Sequence, residues 1–525
     1  MFTTNSIVLS EDITSIFSSL SSILGQAFNS SFNKRIKKLF ANNEQGFFYD
    51  PNDLSTMFQD SAGTIDVLLT GQPVAYIKDL SGNNNHAVQT NSSMRPLLQS
   101  IPYFLEYDVA DDKLSTNFAS TLTNCTIITS TRNNPFIVQT GVTIAAGAYE
   151  VKPERALVVI NRALTQLELI KLEMEFKKHL TDSVKAQSGG EQTVRYTAKG
   201  QPTYMNIIQK FDLSTIDVSL SGTHPAFIVD GVEKPEIFVG TYLGKLVNGE
   251  LLSLPNVDPQ ASTNFDNFST YARACGAGHH LMTNAEWSAV AMQCYKNDTQ
   301  PFGNTYYGRS SENPLLIGRR QDGLDAGNTE GTPRTLTGSG PVEWRHNRKP
   351  SGIADLAGNV WEWSAGMRLI NGEIQVIADN NAALHTIDMS ATSAQWKAID
   401  AVTGNLVTPD GNGTTAGTVK FANSGTADYT INGTSFGAIR NLSTTKPVSA
   451  AALARLKALC LYPVVEDTDK FNGDYFGKDI TAERVSIRGG SWTSAAIAGV
   501  FALSLFNARS NAYTYFGARP AFVNP

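Results

Sequence analysis

Residues 488–522 read RGGSWTSAAIAGVFALSLFNARSNAYTYFGARPAF, and the whole chain is best read outward from them. The stretch opens with Arg488-Gly489-Gly490-Ser491-Trp492 and closes with Gly517-Ala518-Arg519-Pro520-Ala521-Phe522. Between these ends there is almost no charge. Thr493, Ser494, Ile497, Ser504, Phe506, Asn507, Asn511, Tyr513 and Tyr515 sit among small or apolar residues. Asn511, Tyr513 and Tyr515 share one parity, and Ala512, Thr514 and Phe516 the other. In an extended chain that places a polar, aromatic set on one face. Tyr supplies rigid amphipathic area, and Ser and Asn supply adaptable hydrogen bonds, the mixture of binding loops. The nine residues are therefore expected to lie exposed on one contiguous ligand-binding face. Trp361, Trp363, Trp492 and Phe522 are expected buried beneath it, as large aromatics between glycines pack. The alternative reading is an ordinary strand pair with exposed polar residues.

With 525 residues the chain is long enough for several domains with full cores. A net charge of -6 disfavours a nucleic-acid partner, which calls for a basic face. Charged residues make up only 17%, and Gly, Ser, Thr and Asn are plentiful, which suits a β-rich, loop-rich surface protein. Cys125, Cys275, Cys294 and Cys460 show no CxxC spacing, so no zinc site is expected. Cys275 and Cys294 are close enough in sequence to pair in an oxidising setting, and buried free thiols are the simpler reading. The N-terminus lacks the basic and apolar regions of a signal peptide, and no stretch approaches a membrane span. Synthesis in a cytoplasm without general export, and no membrane insertion, are the expectations.

Residues 1–45 are read as an amphipathic helical segment for assembly or anchoring. Ile13, Ile16, Phe17, Leu20, Ile23, Leu24 and Phe28 keep helical spacing, and such a stripe needs a partner. The partner is either another copy or another protein, or the chain's own next domain. Residues 46–185 hold short apolar runs between Asp, Asn and Gly clusters, the pattern of a β-sandwich. They close with an amphipathic helix at 163–180, opened by the capping pair Thr165 and Glu168. Residues 186–200 read as a linker. Residues 201–525 form the last domain, with a long insertion at 367–480 that supports the face and carries one helix, 449–459. His279, His280 and Glu286 lack a third ligand at a regular offset, so no metal is assigned to them. Asn359 and Glu362 offer oxygen donors of the kind calcium takes, but two residues do not make a site.

The framing motifs carry a resemblance. Arg488–Trp492 and Gly517–Phe522, with Gly358-Asn359-Val360-Trp361-Glu362-Trp363 and His280-Leu281-Met282-Thr283-Asn284-Ala285-Glu286-Trp287 upstream, resemble the formylglycine-generating-enzyme (sulfatase-modifying factor) type of C-type lectin fold. The region between the end motifs is similar to the variable repeat of diversity-generating retroelement proteins. That family randomises adenines, mostly in Asn codons. The nine residues obey the resulting restriction, which allows Ser, Thr, Ile, Tyr and Phe and forbids Lys, Glu, Gln, Met and Trp. Phrases in 46–96 (FYDPNDLSTMFQDSAG, DLSGNNNHAVQ, RPLL) are similar to concanavalin-like, laminin-G-like modules of phage tail proteins, here shortened to the space before residue 185. Members of that family sometimes bind sugar or calcium, whereas turns explain the Asp and Asn residues as well.

The implied fold class is α+β: N-terminal helix, concanavalin-like sandwich, and C-terminal C-type lectin-like domain. The implied function is a phage tail receptor-binding protein, located in the virion tail. Its partners would be a host-surface receptor (protein or glycan), other tail or baseplate proteins, and copies of itself, with a homotrimer expected. Oxidase members of the family bind copper through a cysteine pair, one in the closing motif. That position is Pro520 here, and the soft thiolate Cu(I) needs is missing. No catalytic residue and no cofactor is therefore assigned. The competing readings are an enzyme of that type or a carbohydrate-active one, and a bacterial surface adhesin.

Overall fold

The structure is a computed structural model that describes residues 31–107, 111–423 and 427–525. It divides into two compact units, Met1–Val194 and Arg195–Pro525. The apolar stripe at 13–28 lies outside the described residues.

The first unit is a sandwich of two antiparallel sheets. One has the order Gly46–Tyr49, Ala156–Ile160, Leu122–Ser130, Ile137–Ile144. The other has Gly147–Val151, Leu114–Phe118, Ala87–Val88, Tyr76–Ile77, Met57–Phe58. Strand alternation explains why the first strand is buried at every position. Phe47 and Tyr49 face the second sheet with Met57, Ile77, Leu114 and Phe118. Phe48 points the other way, into a layer with Phe32, Ile36, Phe40, Leu172 and Phe176. Each such side chain contributes about 1.5–3 kcal/mol. The described end of the N-terminal segment, helical over 31–37, thus packs on the sandwich of its own chain. Helix Gln166–Gln187 begins at Thr165, where the capping box with Glu168 forms. Asp79, in the Asn-rich stretch, accepts from the backbone N–H groups of Phe48, Ser81 and Asn85, so turn closure occupies it.

The stretch 186–200, expected as a linker, holds the end of that helix and the strand Gln192–Tyr196. Its Gly189 and Gly190 close the helix with positive φ. The division between the two units, at Val194 and Arg195, falls within this stretch.

The second unit holds a five-stranded sheet ordered Gln192–Tyr196, Pro202–Gln209, Glu236–Gly240, Pro520–Phe522, His279–Leu281. The C-terminal strand returns between Glu236–Gly240 and His279–Leu281, with Phe238 opposite Phe522 and Leu281 opposite Pro520. In the larger sheet, Trp361–Ile370 lies between Glu373–Ile377 and Glu483–Gly489, followed by Gly499–Asn507 and Phe476–Lys478. Helix Asn284–Asn297 packs against this core through Ala285, Trp287, Ala289 and Val290. The 367–480 insertion is built into the sheet: Ile399, Phe421, Ile431 and Leu456 share that core. Its helix, Ala450–Ala458, starts at an Ser449 cap. Long-range pairing converts this polar, Gly-rich run into strands, and the mixed α+β class holds.

Candidate functional site: a rim framed by buried motifs

The motif residues hold the frame. Arg519 is buried and donates to Glu362 twice (3.0 and 2.8 Å), to Gly240 O (2.9 Å) and to Ala354 O (2.9 Å). Burial pushes the Glu362 carboxyl above its ordinary range, and Arg519 draws it part of the way back. Arg488, also buried, donates to Asn284 Oδ1 and to the carbonyls of Leu459 and Cys460. Gly489 and Gly490 have φ of 91° and 92°, which L side chains rarely adopt, and a Cβ on Gly490 would lie 2.5 Å from that of Ala498. Asn359 accepts from Thr335 N and donates to Thr335 O. The two oxygen donors considered for calcium, Asn359 and Glu362, are therefore both engaged inside the fold. His280 is likewise held by Glu286 (2.8 Å), which also closes the cap at Thr283. Among the described residues no group of three or more His, Cys, Asp and Glu is placed to hold a metal.

On this frame strand Gly499–Asn507 runs to the surface. Phe501, Leu503 and Leu505 enter the main core, while Ala502 enters the cluster of Trp361, Trp363 and Phe516 on the other face. Ser504 and Phe506 follow Ala502 on that second face, but Ser504 is only 5% exposed and Phe506 is 48% exposed. Ser504 thus departs from the expected exposed set. It pairs with Ile487 on one side and Gly477 on the other, so neighbouring strands cover it. Phe506 lies past the last rung of the Phe476–Lys478 strand, Lys478 to Leu505. Ser504→Tyr should therefore cost about 1–3 kcal/mol by overpacking, and Phe506→Tyr less than ~0.5 kcal/mol. Chemical denaturation of the two variants checks this, and equal losses would erase the distinction.

The other eight positions are exposed or half-buried. Ile497 and Tyr513 are 44% and 45% exposed. The expected extended run at 511–515 is a loop instead. Its Arg509 is pinned by Glu483 (2.8 and 3.0 Å) and Asp266 (2.8 Å), and Asn511 Oδ1 accepts from Ala508 N to close a turn. Pairing of Arg509 with distant acids and the turn closed by Asn511 hold a loop where alternation predicts a strand. Even so, Tyr513 and Tyr515 stack at 5.3 Å, and Tyr515 meets Trp492 edge-on at 6.3 Å. Ser494 Oγ accepts from Ser491 N, so both Ser494 and Asn511 also hold loop geometry.

Three aromatics outside the motifs join this surface. Tyr475 donates its N–H to Ile497 O and sets its ring 5.9 Å from Trp361, whose N–H bonds Tyr515 O. Tyr307 donates its N–H to Trp492 O and packs with Trp492 and Tyr515, and Tyr306, its neighbour, is exposed. Nothing in their local sequence marks them; long-range pairing brings them in. Trp361, Trp363 and Trp492 lie buried under the rim. Phe522 is buried elsewhere, with Met205 and Phe238 on the five-stranded sheet. All four cysteines are buried and free, so Cys275 and Cys294 are not paired. Burial pushes the Cys275, Cys294 and Cys460 thiols up to about 12. Pro520 lies in a buried strand between Glu236–Gly240 and His279–Leu281.

No curated protein matches the sequence. Among solved structures the chain is similar to the Major Tropism Determinant U1 Variant, at 13% identity over 87% of this chain and 82% of that one, TM-score 0.22. It is similar to the P3c Variant at 13% identity over 93% and 87%, TM-score 0.22. Residues 174–378 match the model of the Sulfatase-modifying factor enzyme 1-like domain, which takes in the motifs at 280–287 and 358–363. Over that span the chain is similar to the sulfatase-modifying-factor domain, whose fold is C-type lectin-like.

Proposed function

We propose that this chain is a phage tail receptor-binding protein that displays a diversified face on a C-type lectin-like scaffold and attaches the particle to its host cell. One observation carries the reading. Between two motifs clamped by buried arginines, Thr493, Ile497, Phe506 and Tyr513 are exposed, and the apolar area they offer exceeds what folding asks of them. Exposed aromatics over a rigid buried frame are pre-organised contact area, and side-chain changes there leave the frame intact. Stretch 488–522 has no Cys, His, Asp or Glu, so acid–base or thiol chemistry at the rim lacks its groups, and the chain is read as a binder without enzyme activity. Phe506→Ala with Tyr513→Ala should lower adsorption of the particle to its host about 10–100-fold, with the melting profile unchanged. Unchanged adsorption with a folded protein refutes the reading.

A face of this size binds weakly as a single copy, and linked copies raise avidity ~10²–10⁴-fold. We therefore place it in a homotrimer in the virion tail, assembled through the stripe at 13–28 and joined there to other tail proteins. Phe17, Leu20 and Leu24 changed together to Ser should yield a smaller assembly. Light scattering that gives a monomer for the unaltered chain, well above micromolar concentration, rules out the trimer.

A further inference from the structure

A cavity of about 400 Å³ lies beside the 496–500 segment of the rim. Small residues leave it open: Ala496, Ala498 and Gly499 form one wall, and Phe302 and Pro301 form part of another. Three carboxyl groups reach it from separate segments, Asp298, Glu312 and Asp474, against one cation, Arg348. Asp474 is the unusual member. It is 1% exposed, and its Oδ2 accepts from Phe501 N at 2.7 Å. Its Oδ1 accepts no hydrogen bond among the described residues and lies against Gly499, where a Cβ would come within 2.0 Å of it. A carboxyl so placed with half its capacity unused lacks a partner. Burial, with the charge of Glu312 adding to it, pushes this carboxyl up to about 8, the behaviour of a buried acid without a counterion. Arg348 does not neutralise it: its Nη2 is turned to Gln300 O (3.3 Å), and its guanidinium sits 5.9 Å from the Phe302 ring. Glu312 keeps Oε2 on the Ser310 and Ser311 hydroxyls.

We propose that this cavity is a second ligand subsite beside the rim and that it takes a protonated primary amine, from a receptor lysine or from an amino sugar. An ammonium is a compact charge with three donors, which suits carboxylates arriving from three segments; a guanidinium's planar fork suits a single carboxylate. The cation completes Asp474 Oδ1, whose carboxyl gives up its proton to solvent as the amine binds, and it offsets the charge of Asp298 and Glu312. Ala496 and Ala498 flank Ile497, so the cavity adjoins a position of the proposed variable face. Only the receptor as the amine's source rests on the receptor-binding reading; the affinity for an amine does not.

The test is calorimetric titration of the full chain with Nα-acetyl-lysine amide, glucosamine and N-acetylglucosamine. Millimolar binding of at least one amine is expected, with none of the acetylated sugar. Asp474→Asn should weaken it about tenfold or more, and Glu312→Gln in the same direction by less. Lysine amide alone points to a protein source, and glucosamine alone to a glycan. Absence of binding by both amines at tens of millimolar overturns the proposal. So does equal binding of the two sugars, or amine binding unchanged in both variants. Should Asp474→Asn fail to fold, Ala498→Leu, which fills the cavity from its wall, replaces it and must abolish binding. Unchanged adsorption of the Phe506→Ala, Tyr513→Ala particle together with intact amine binding would count against the receptor reading alone.

Discussion

Replacing Arg519 with Ala should cost the second unit roughly 3–5 kcal/mol, the range for breaking a buried ion pair from one side. Four hydrogen bonds from one guanidinium join Glu362 in the large sheet to Gly240 in the small sheet and to Ala354 in the loop between. Without it, Glu362 stays buried without its charge partner and takes up a proton. Glu362→Gln should cost less, because the amide still accepts from the guanidinium. Arg519→Lys should fall between, since one ammonium cannot replace the fork. Urea unfolding followed by Trp fluorescence measures the order, as Trp361 and Trp363 flank Glu362 in sequence. An Arg519→Ala protein within ~1 kcal/mol of the parent would show that the clamp is not structural.

The stability of the same unit should fall as pH rises from about 4 to about 8. Asp474 holds its proton to about 8 in the fold and releases it near 3.8 in the open chain. Between those values the unfolded chain binds fewer protons, so raising the pH favours it; below 3.8 both states are protonated, and above about 8 both are ionised. The full swing is on the order of 5 kcal/mol as an upper bound. Asp474→Asn keeps an acceptor for Phe501 N and cannot ionise. It should therefore lose this slope and melt above the parent at pH 8, with little difference at pH 4. Calorimetry of both proteins across that range decides. Parallel pH profiles would mean that Asp474 is ionised in the fold at neutral pH, with a counterion the residues around it do not supply.

Both effects come from residues whose roles are read very differently in the sequence. Arg519 belongs to the closing motif, Gly517–Phe522. Asp474 sits in a polar, Gly-containing run, Asn472-Gly473-Asp474, that reads as an exposed turn. Its burial follows from Gly499, 25 positions further on, which gives it room. Parity along Gly499–Asn507 tells that 502, 504 and 506 share a face. It does not tell how far the neighbouring strand reaches, and that alone separates covered Ser504 from exposed Phe506.

What the sequence determined by itself is local or motif-bound. Thr165 with Glu168 and Thr283 with Glu286 close their helix caps because the partners are three residues apart. Gly489 and Gly490 take conformations that other residues resist, and the framing motifs foretell a lectin-like domain. The tertiary structure decided which candidate positions reach the surface, that Tyr306, Tyr307 and Tyr475 join them, and that the 367–480 run is sheet. It also decided that Asp474 opens on a cavity. The reason is the same in each case: exposure is set by what covers a side chain, and the cover comes from strands and loops far away in the chain, whose arrival no local pattern records.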